Sequence, residues 1–278
     1  MKSADLKHAN LSDAKLNNAD LSSADLNGAD LNGANLCNTN LRGADLKGAN
    51  LKGASLSSVD LREADLNGAD LNGANLCNTN LRGADLKGAN LKSANLMGAN
   101  LKGAYLIGAF LIRTDLRDAD LRDAHLIRTD LRGANLSNAI CNANLKGADL
   151  SDANLSYANL RGANLSNANL CNANLNYADL SCANLKGANL MGANLKGAYL
   201  ISAFLIRTDL SGANLKGANL SDVDLRVVNL TSANLEFAIF RDVNLPDFET
   251  LKILGLSVKP LSQKQYTDKN VVYLNDLK

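Results

Sequence analysis

Leucine stands at every fifth position from Leu6 to Leu136 and again from Leu145 to Leu235, with Ile140 between the runs and Phe240 and Leu245 closing the series. Two residues before nearly every one of these sits Ala. Thr takes that place at Thr39, Thr79, Thr114, Thr129 and Thr208, and Val at Val59, Val223, Val228 and Val243. The unit Ala-Asp/Asn-Leu-x-x fills residues 4 to 247 in about 49 copies, a self-similarity that has to be explained before anything else in the chain.

A helix turns about 100° per residue, so leucines five apart would wander around its surface, and Ala and Leu two apart would point to opposite sides. A long flat strand alternates its faces with period 2, which puts Leu6 and Leu11 on opposite sides of the sheet. What remains is a short extended Ala-x-Leu piece with both apolar groups on one side, followed by a corner made of the last two residues. Twenty of the 21 glycines fall at the last repeat position, as in Gly43, Gly48, Gly53 and Gly103, where a corner calls for a positive φ. Ala at the inward position follows from space, because a second large side chain on each piece would overfill a narrow core. Thr there needs a backbone acceptor, and Val is expected to widen the coil.

Ala24-Asp25-Leu26-Asn27-Gly28 and its neighbours resemble the pentapeptide-repeat family over most of the chain. The resemblance implies an all-β, right-handed quadrilateral β-solenoid (pentapeptide-repeat β-helix). Four five-residue sides close each coil of about 20 residues, and about 12 coils at about 4.8 Å spacing make a rod of about 60 Å. The expected organisation is a solenoid over 4–247 and a C-terminal cap helix and tail over 248–278. The segment Pro246-Asp247-Phe248-Glu249-Thr250-Leu251-Lys252-Ile253-Leu254-Gly255 reads as the short helix, acidic in its first turn and ended by Gly. Phe248, Leu251 and Leu254 share a stripe suited to covering the last coil, whose open end would expose unpaired strand edges. Val271-Val272-Tyr273-Leu274 is expected to add a strand or to form a dimer contact. The first coil, with no such cap, is expected to be exposed or paired with another molecule.

Three irregularities qualify the regular array. The segment Ala134-Asn135-Leu136-Ser137-Asn138-Ala139-Ile140-Cys141 lacks one residue relative to Ala163–Cys171, and the expectation is a tightened side or distorted corner over Ala139 to Asn142, with the residue lost before Ile140. Residues 24–52 recur identically at 64–92, and residues 94–116 recur at 188–210 with Gly108 exchanged for Ser202. The array has grown by copying, so a repeated residue can record descent.

The outward positions are mostly Asn, Ser, Lys, Arg, Asp and Gly, a solvated surface. With 29 Lys plus Arg against 28 Asp plus Glu, the charge points to no nucleic-acid partner. No apolar run long enough to span a membrane and no leader-like segment is present, so the expected compartment is the cytoplasm. Cys37, Cys77, Cys141, Cys171 and Cys182 are widely spaced and read as reduced thiols at outward positions. His8 and His125 stand apart in no ligand pattern. Asp118 and Asp123 are expected to be neutralised by Arg113, Arg117, Arg122 and Arg128. No nucleophile-base pair, phosphate loop or cofactor fingerprint occurs, so the chain is expected to be no enzyme and to hold no cofactor or metal.

The break in this polar monotony is Ala104-Tyr105-Leu106-Ile107-Gly108-Ala109-Phe110-Leu111-Ile112, repeated at Ala198 to Ile206. Tyr105, Ile107, Phe110 and Ile112 should point outward, with Ile127 stacked on Ile107, and Tyr199, Ile201, Phe204 and Ile206 should do the same. Clustered exposed apolar groups on a rod mark a contact site. The leading expectation is a rigid scaffold that binds a protein partner or itself, with a homodimer through a solenoid end or the C-terminal segment as one form. The family resemblance implies an alternative, since some of its members mimic DNA and protect DNA gyrase. Here Asp45/Lys47, Asp85/Lys87 and Asp120/Arg122 interleave the charges, which removes the negative face that mimicry requires. Ice binding needs an outward Thr array, and most Thr residues in these repeats point inward.

Overall fold

A computed structural model describes residues 1–244 and 271–273. Rungs of parallel backbone pairing join residues 20 apart: Asp25, Asp30, Asn35 and Asn40 pair with Asp45, Asn50, Ser55 and Asp60. Four such segments therefore make one coil. The first face carries Asp5, Asp25 and Asp45; the second Asn10, Asp30 and Asn50; the third Lys15, Asn35 and Ser55; the fourth Asp20, Asn40 and Asp60. Each side contributes a single rung, because the two residues after each Leu are already turning.

The ladder and the turn account for the backbone polar groups. Leu101 N–H donates to Asp120 O at 2.7 Å in the next coil, and Asn100 N–H donates to Thr79 O at 3.0 Å in the previous one. Ala104 N–H returns to Leu101 O at 2.9 Å and closes the corner. The last repeat position has positive φ at Gly and at most other residue types, 66° at Gly103, 55° at Arg113 and 59° at Tyr157, though not at the β-branched Val227. A left-handed residue at that place is a feature of type II turns, and the rest of the coil holds non-glycine residues in it. Asp or Asn at the outward rung position reinforces the corner. Asp45 Oδ1, for example, accepts from Lys47 N–H at 3.0 Å, the Asx pattern that makes these residue types good turn formers.

Leu and Ala line the interior throughout, fully buried from Leu21 to Leu220, while Leu6, Leu11 and Leu16 in the first coil are partly covered. The inward Thr residues find the acceptor they need: Thr114 Oγ1 donates to Leu91 O at 2.8 Å and Thr79 Oγ1 to Leu56 O at 2.7 Å.

Two expectations are corrected. Ile140 does not continue the Leu column; it occupies the outward rung position, pairs with Asp120 and Asn159, and is 39% exposed. Cys141 takes the interior place and is 1% exposed. The missing residue belongs to the corner after Cys141, where Asn142 alone leads into Ala143. The turn bond made by its neighbours, Ala139 N–H to Leu136 O and Ala148 N–H to Leu145 O, has no counterpart from Ala143. Shortening a corner preserves the ladder on both sides, whereas shortening a side would turn the following leucines outward. Burial pushes the Cys141 thiol up to about 12. Cys141 is therefore expected to resist a thiol reagent in the folded protein while exposed Cys182 reacts promptly; equal rates in a residue-resolved labelling experiment would contradict the assignment.

At the inward Val59 the corner bond to Leu56 O is 3.3 Å, the same as at Thr129 and at the long end of these corner bonds. In the last coil Val223, Val228 and Phe240 all replace smaller groups or Leu, and there no rung joins Phe204 to Asp224. Arg207 N–H instead reaches Val227 O at 3.1 Å.

Strand β1 (Ile239–Arg241) closes the fourth face of the last coil by pairing antiparallel with β2 (Val271–Tyr273), Phe240 opposite Val272. The cap helix expected between 248 and 255 lies outside the described residues.

Candidate functional site

The repeat gives every outward residue a definite address, so an exposed apolar side chain is held on a rigid support. Tyr105 and Phe110 stand at rung positions of the first and second faces, both exposed, with Ile107 and Ile112 half-buried beside them. Tyr105 stacks on His125 in the next coil, ring centroids 4.9 Å apart and nearly parallel at 4°. Lys87 Nζ lies 5.2 Å from the Tyr105 ring centre on the other side. Ile127 sits one coil beyond Ile107, as the five-residue register requires. His125 thus belongs to this patch, and its place among Asp and Asn rungs was the sequence signal.

The second copy of the motif does not join the first. Tyr105 and Tyr199 are 94 residues apart, which with the residue missing at Asn142 makes nineteen sides, not a whole number of four-sided coils. Tyr199 and Ile201 lie on the fourth face and Phe204 and Ile206 on the first, with Tyr199, Phe204 and Ile206 exposed. By contrast, the 40-residue duplication of 24–52 returns every side chain to its own face.

A third concentration was missed by the search for aromatics at rung positions. Tyr157 and Tyr177 occupy corner positions, where Gly is usual, and stack at 5.3 Å with their rings 15° from parallel. With Tyr199, Ile201, Arg161 and Asp179 they line an open groove of about 350 Å³ along the edge of the fourth face. The 20-residue spacing of Ser156-Tyr157-Ala158 and Asn176-Tyr177-Ala178 is the signal that could have found them.

The charged groups are engaged locally. Arg117 binds Asp115 through two nitrogens, with Nη2 2.6 Å from Oδ2, and Arg122 binds Asp120 likewise at 2.5 Å. Hydrogen bonds from these guanidinium groups hold Asp115 and Asp120 below the usual carboxylate range. That contribution is present above the ordinary carboxylate pKa and disappears as the pH falls through the lowered one. The direct ion pairs of Arg117 and Arg122 thus go to Asp115 and Asp120, while Asp118 and Asp123 interact with the same two guanidinium groups through space, and Asp123 also meets Lys102 at 4.0 Å. On the first face Asp5, Asp25, Asp45, Asp65 and Asp85 form a column, crossed by Lys7 to Asp25 at 3.0 Å, Lys47 to Asp65 at 3.0 Å and Lys87 to Asp85 at 2.9 Å. Among the described residues no cluster suited to a metal ion occurs, and no helix is long and apolar enough to cross a membrane.

The pentapeptide-repeat family model matches the sequence in overlapping segments that run from residue 4 to residue 245. The chain belongs to the pentapeptide-repeat family. Among solved structures it is similar to HetL, a pentapeptide repeat protein involved in heterocyst differentiation regulation from the cyanobacterium Nostoc sp. strain PCC 7120. Identity is 37% over 84% of this chain and 90% of HetL, with a TM-score of 0.44. It is also similar to a pentapeptide repeat protein from the Arabidopsis thaliana thylakoid lumen, 37% identical over 37% of this chain and 69% of that one, TM-score 0.27. QnrB1, a plasmid-mediated fluoroquinolone resistance protein, is 20% identical over 69% of this chain and 95% of its own, TM-score 0.34. A search of curated proteins gives no match. Within the family, the pentapeptide unit explains the regular rungs, and the aromatic positions are what set this chain's surface apart from its own repeats.

Proposed function

We propose that this pentapeptide-repeat protein is a right-handed, four-sided rod of about twelve coils that acts as a non-enzymatic scaffold in the cytoplasm. It joins a protein partner, or a second copy of itself, through aromatic and aliphatic side chains on its outer faces. One observation carries the reading: at Tyr105, Phe110, Tyr199 and Phe204 the rung position has given up its Asp or Asn. Each exchange forfeits the side-chain acceptor for the N–H two residues on, worth about 0.5–1.5 kcal/mol, and leaves a large apolar group in water. The rings are not needed to cover the core, because Leu106 and Leu111 beneath are 0% exposed in any case, and of the four only Tyr105 has a ring partner among the described residues of the rod, His125. Large apolar surface that covers no core fits a binding role.

Five unpaired thiols fit a reducing compartment. The lysine crossings of the aspartate column, and a net charge of +1, weigh against DNA mimicry and against nucleic acid or membrane as partner.

The test is the quadruple variant Tyr105→Asn, Phe110→Asn, Tyr199→Asn, Phe204→Asn. Its thermal midpoint is expected to equal or exceed that of the parent, since the Asx acceptors return. Its self-association in sedimentation velocity, or its retention of a partner, is expected to weaken at least tenfold; association unchanged in the folded variant would remove these patches from consideration.

A further inference from the structure

A rung residue directs its backbone polar groups one way. Asp25 N–H donates to Ala4 O at 2.9 Å and Asp25 O accepts from Leu6 N–H at 2.8 Å, so both face the preceding coil. The first coil therefore presents the N–H and C=O of Asp5, Asn10, Lys15 and Asp20 along its outer edge, and among the described residues no backbone group pairs with them there. Leu6, Leu11 and Leu16 behind this edge are only partly covered, and Met1, five residues before Leu6, is 71% exposed. Lys15 is also the only Lys or Arg at a described rung position. Elsewhere that place holds Asp, Asn, Ser, His, Ile or an aromatic residue.

We propose that two copies of this chain join head to head through their first coils. The orientation follows from the hydrogen-bonding pattern. A two-fold axis across the rod reverses the strand direction, and in an antiparallel pair two residues set directly opposite exchange both N–H···O=C bonds. Rung against rung is such an exchange, so the edge is complementary to itself. Head-to-tail stacking is obstructed, because β2 already pairs with β1 along one side of the last coil. Rise and charge then select the axis. The chain climbs about 4.8 Å per coil, a quarter of that on each side, so the edge is a ramp. Four two-fold axes suit a four-sided coil. The axis through the middle of the second and fourth faces brings three sides together at one height: Asp5 meets Lys15 of the second copy, Lys15 meets Asp5, and Asn10 meets its own equivalent. The fourth side stands back by about one coil spacing, which keeps the two Asp20 carboxylates apart and leaves room for Met1 of each copy. The other axes do worse. One closes a single side on Asp5 against Asp5, another closes two sides only, and the last closes all four but sets Asp5 against Asp20 twice.

Sedimentation equilibrium of the full chain measures the pairing. Lys15→Glu places like charges opposite each other and is expected to weaken it at least about tenfold. Lys15→Glu with Asp5→Lys exchanges the two charges and is expected to recover most of the loss. Both side chains are exposed, so the thermal midpoints should hold. In a variant whose cysteines are replaced, a spin label at Asn50, on the second face two coils in from the edge, should report one distance between copies near 24 Å at about 4.8 Å per coil. Charges on a sheet edge can instead keep strands apart; Lys15→Asn would then tighten association, where head-to-head pairing predicts a loss. A parent chain that stays monomeric, an unaffected Lys15→Glu variant, or a charge exchange that recovers nothing would overturn the pairing. The end contact is separate from the aromatic faces. Association lost in the quadruple aromatic variant but untouched by Lys15→Glu would overturn it and leave the scaffold reading standing; the reverse result would support it and leave the aromatic faces to a different partner.

Discussion

Leu101→Ala is expected to destabilise the rod by about 2–5 kcal/mol, with the loss concentrated in the coils around it. Leu101 is 0% exposed, and Leu81 and Leu121 occupy the same place in the coils on either side. The hole cannot close, because the backbone at this side is fixed from both directions by Asn100 N–H to Thr79 O at 3.0 Å and Leu101 N–H to Asp120 O at 2.7 Å. In a solenoid each coil touches only its neighbours, so stability is a sum of local terms. Hydrogen exchange should therefore quicken at the amides of residues 80 to 121 and change little near Leu200. A loss below about 1 kcal/mol in urea titration, outside the range for a leucine truncated in a core that cannot relax, would mean that the column is not the core.

Ala99→Leu tests the other half of the same side and is expected to cost about 1–3 kcal/mol or more by overfilling. The molecule already contains the graded version of this experiment. One Val, at Val59, is accommodated with a turn bond of 3.3 Å and with the rungs of Asp60 to Asn40 and Asn80 in place. Val223 and Val228 with Phe240 in one coil coincide with the loss of the rung between Phe204 and Asp224. Leu adds more volume than Val at a site whose neighbours cannot move apart without breaking pairing. The amides of Asn100 and Leu101 should lose protection in Ala99→Leu, while Ala99→Val should resemble Val59 and cost little. Unchanged stability in the Leu variant would show that the interior has room, contrary to the reason given for Ala.

The interior was legible in the sequence because it is written twice, in the Leu column and in the Ala two places earlier, and a five-residue period admits few folds. The inward Thr residues were legible for the same reason, since a buried hydroxyl has to find an acceptor. The irregular corner was not. Ile140 is the larger apolar residue and looked like the column member, but register decides, and the ladder holds only if the lost residue comes from a corner. The aromatic patches were legible as exceptions to a polar rung; their relative placement was not, because it depends on counting sides across that missing residue. Tyr157 and Tyr177 escaped because the corner is expected to favour Gly. The turn in fact holds Asn, Asp, Ser, Arg, Tyr and Phe there at positive φ, and an aromatic ring at that place can reach over the glycine of the next coil.

The claim on which everything else depends is that 20 residues make one coil, with one coil of 19 at Asn142. Spin labels at Asn40 and Asn219 test it most directly, in a variant whose five cysteines are replaced, Cys141 by Leu and the others by Ser. Both sites are rungs of the fourth face, about nine coils apart, so dipolar spectroscopy should give one narrow distance near 43 Å at about 4.8 Å per coil. A broad distribution, or a distance far from this value, would contradict the coil and with it the assignment of every outward residue to its face.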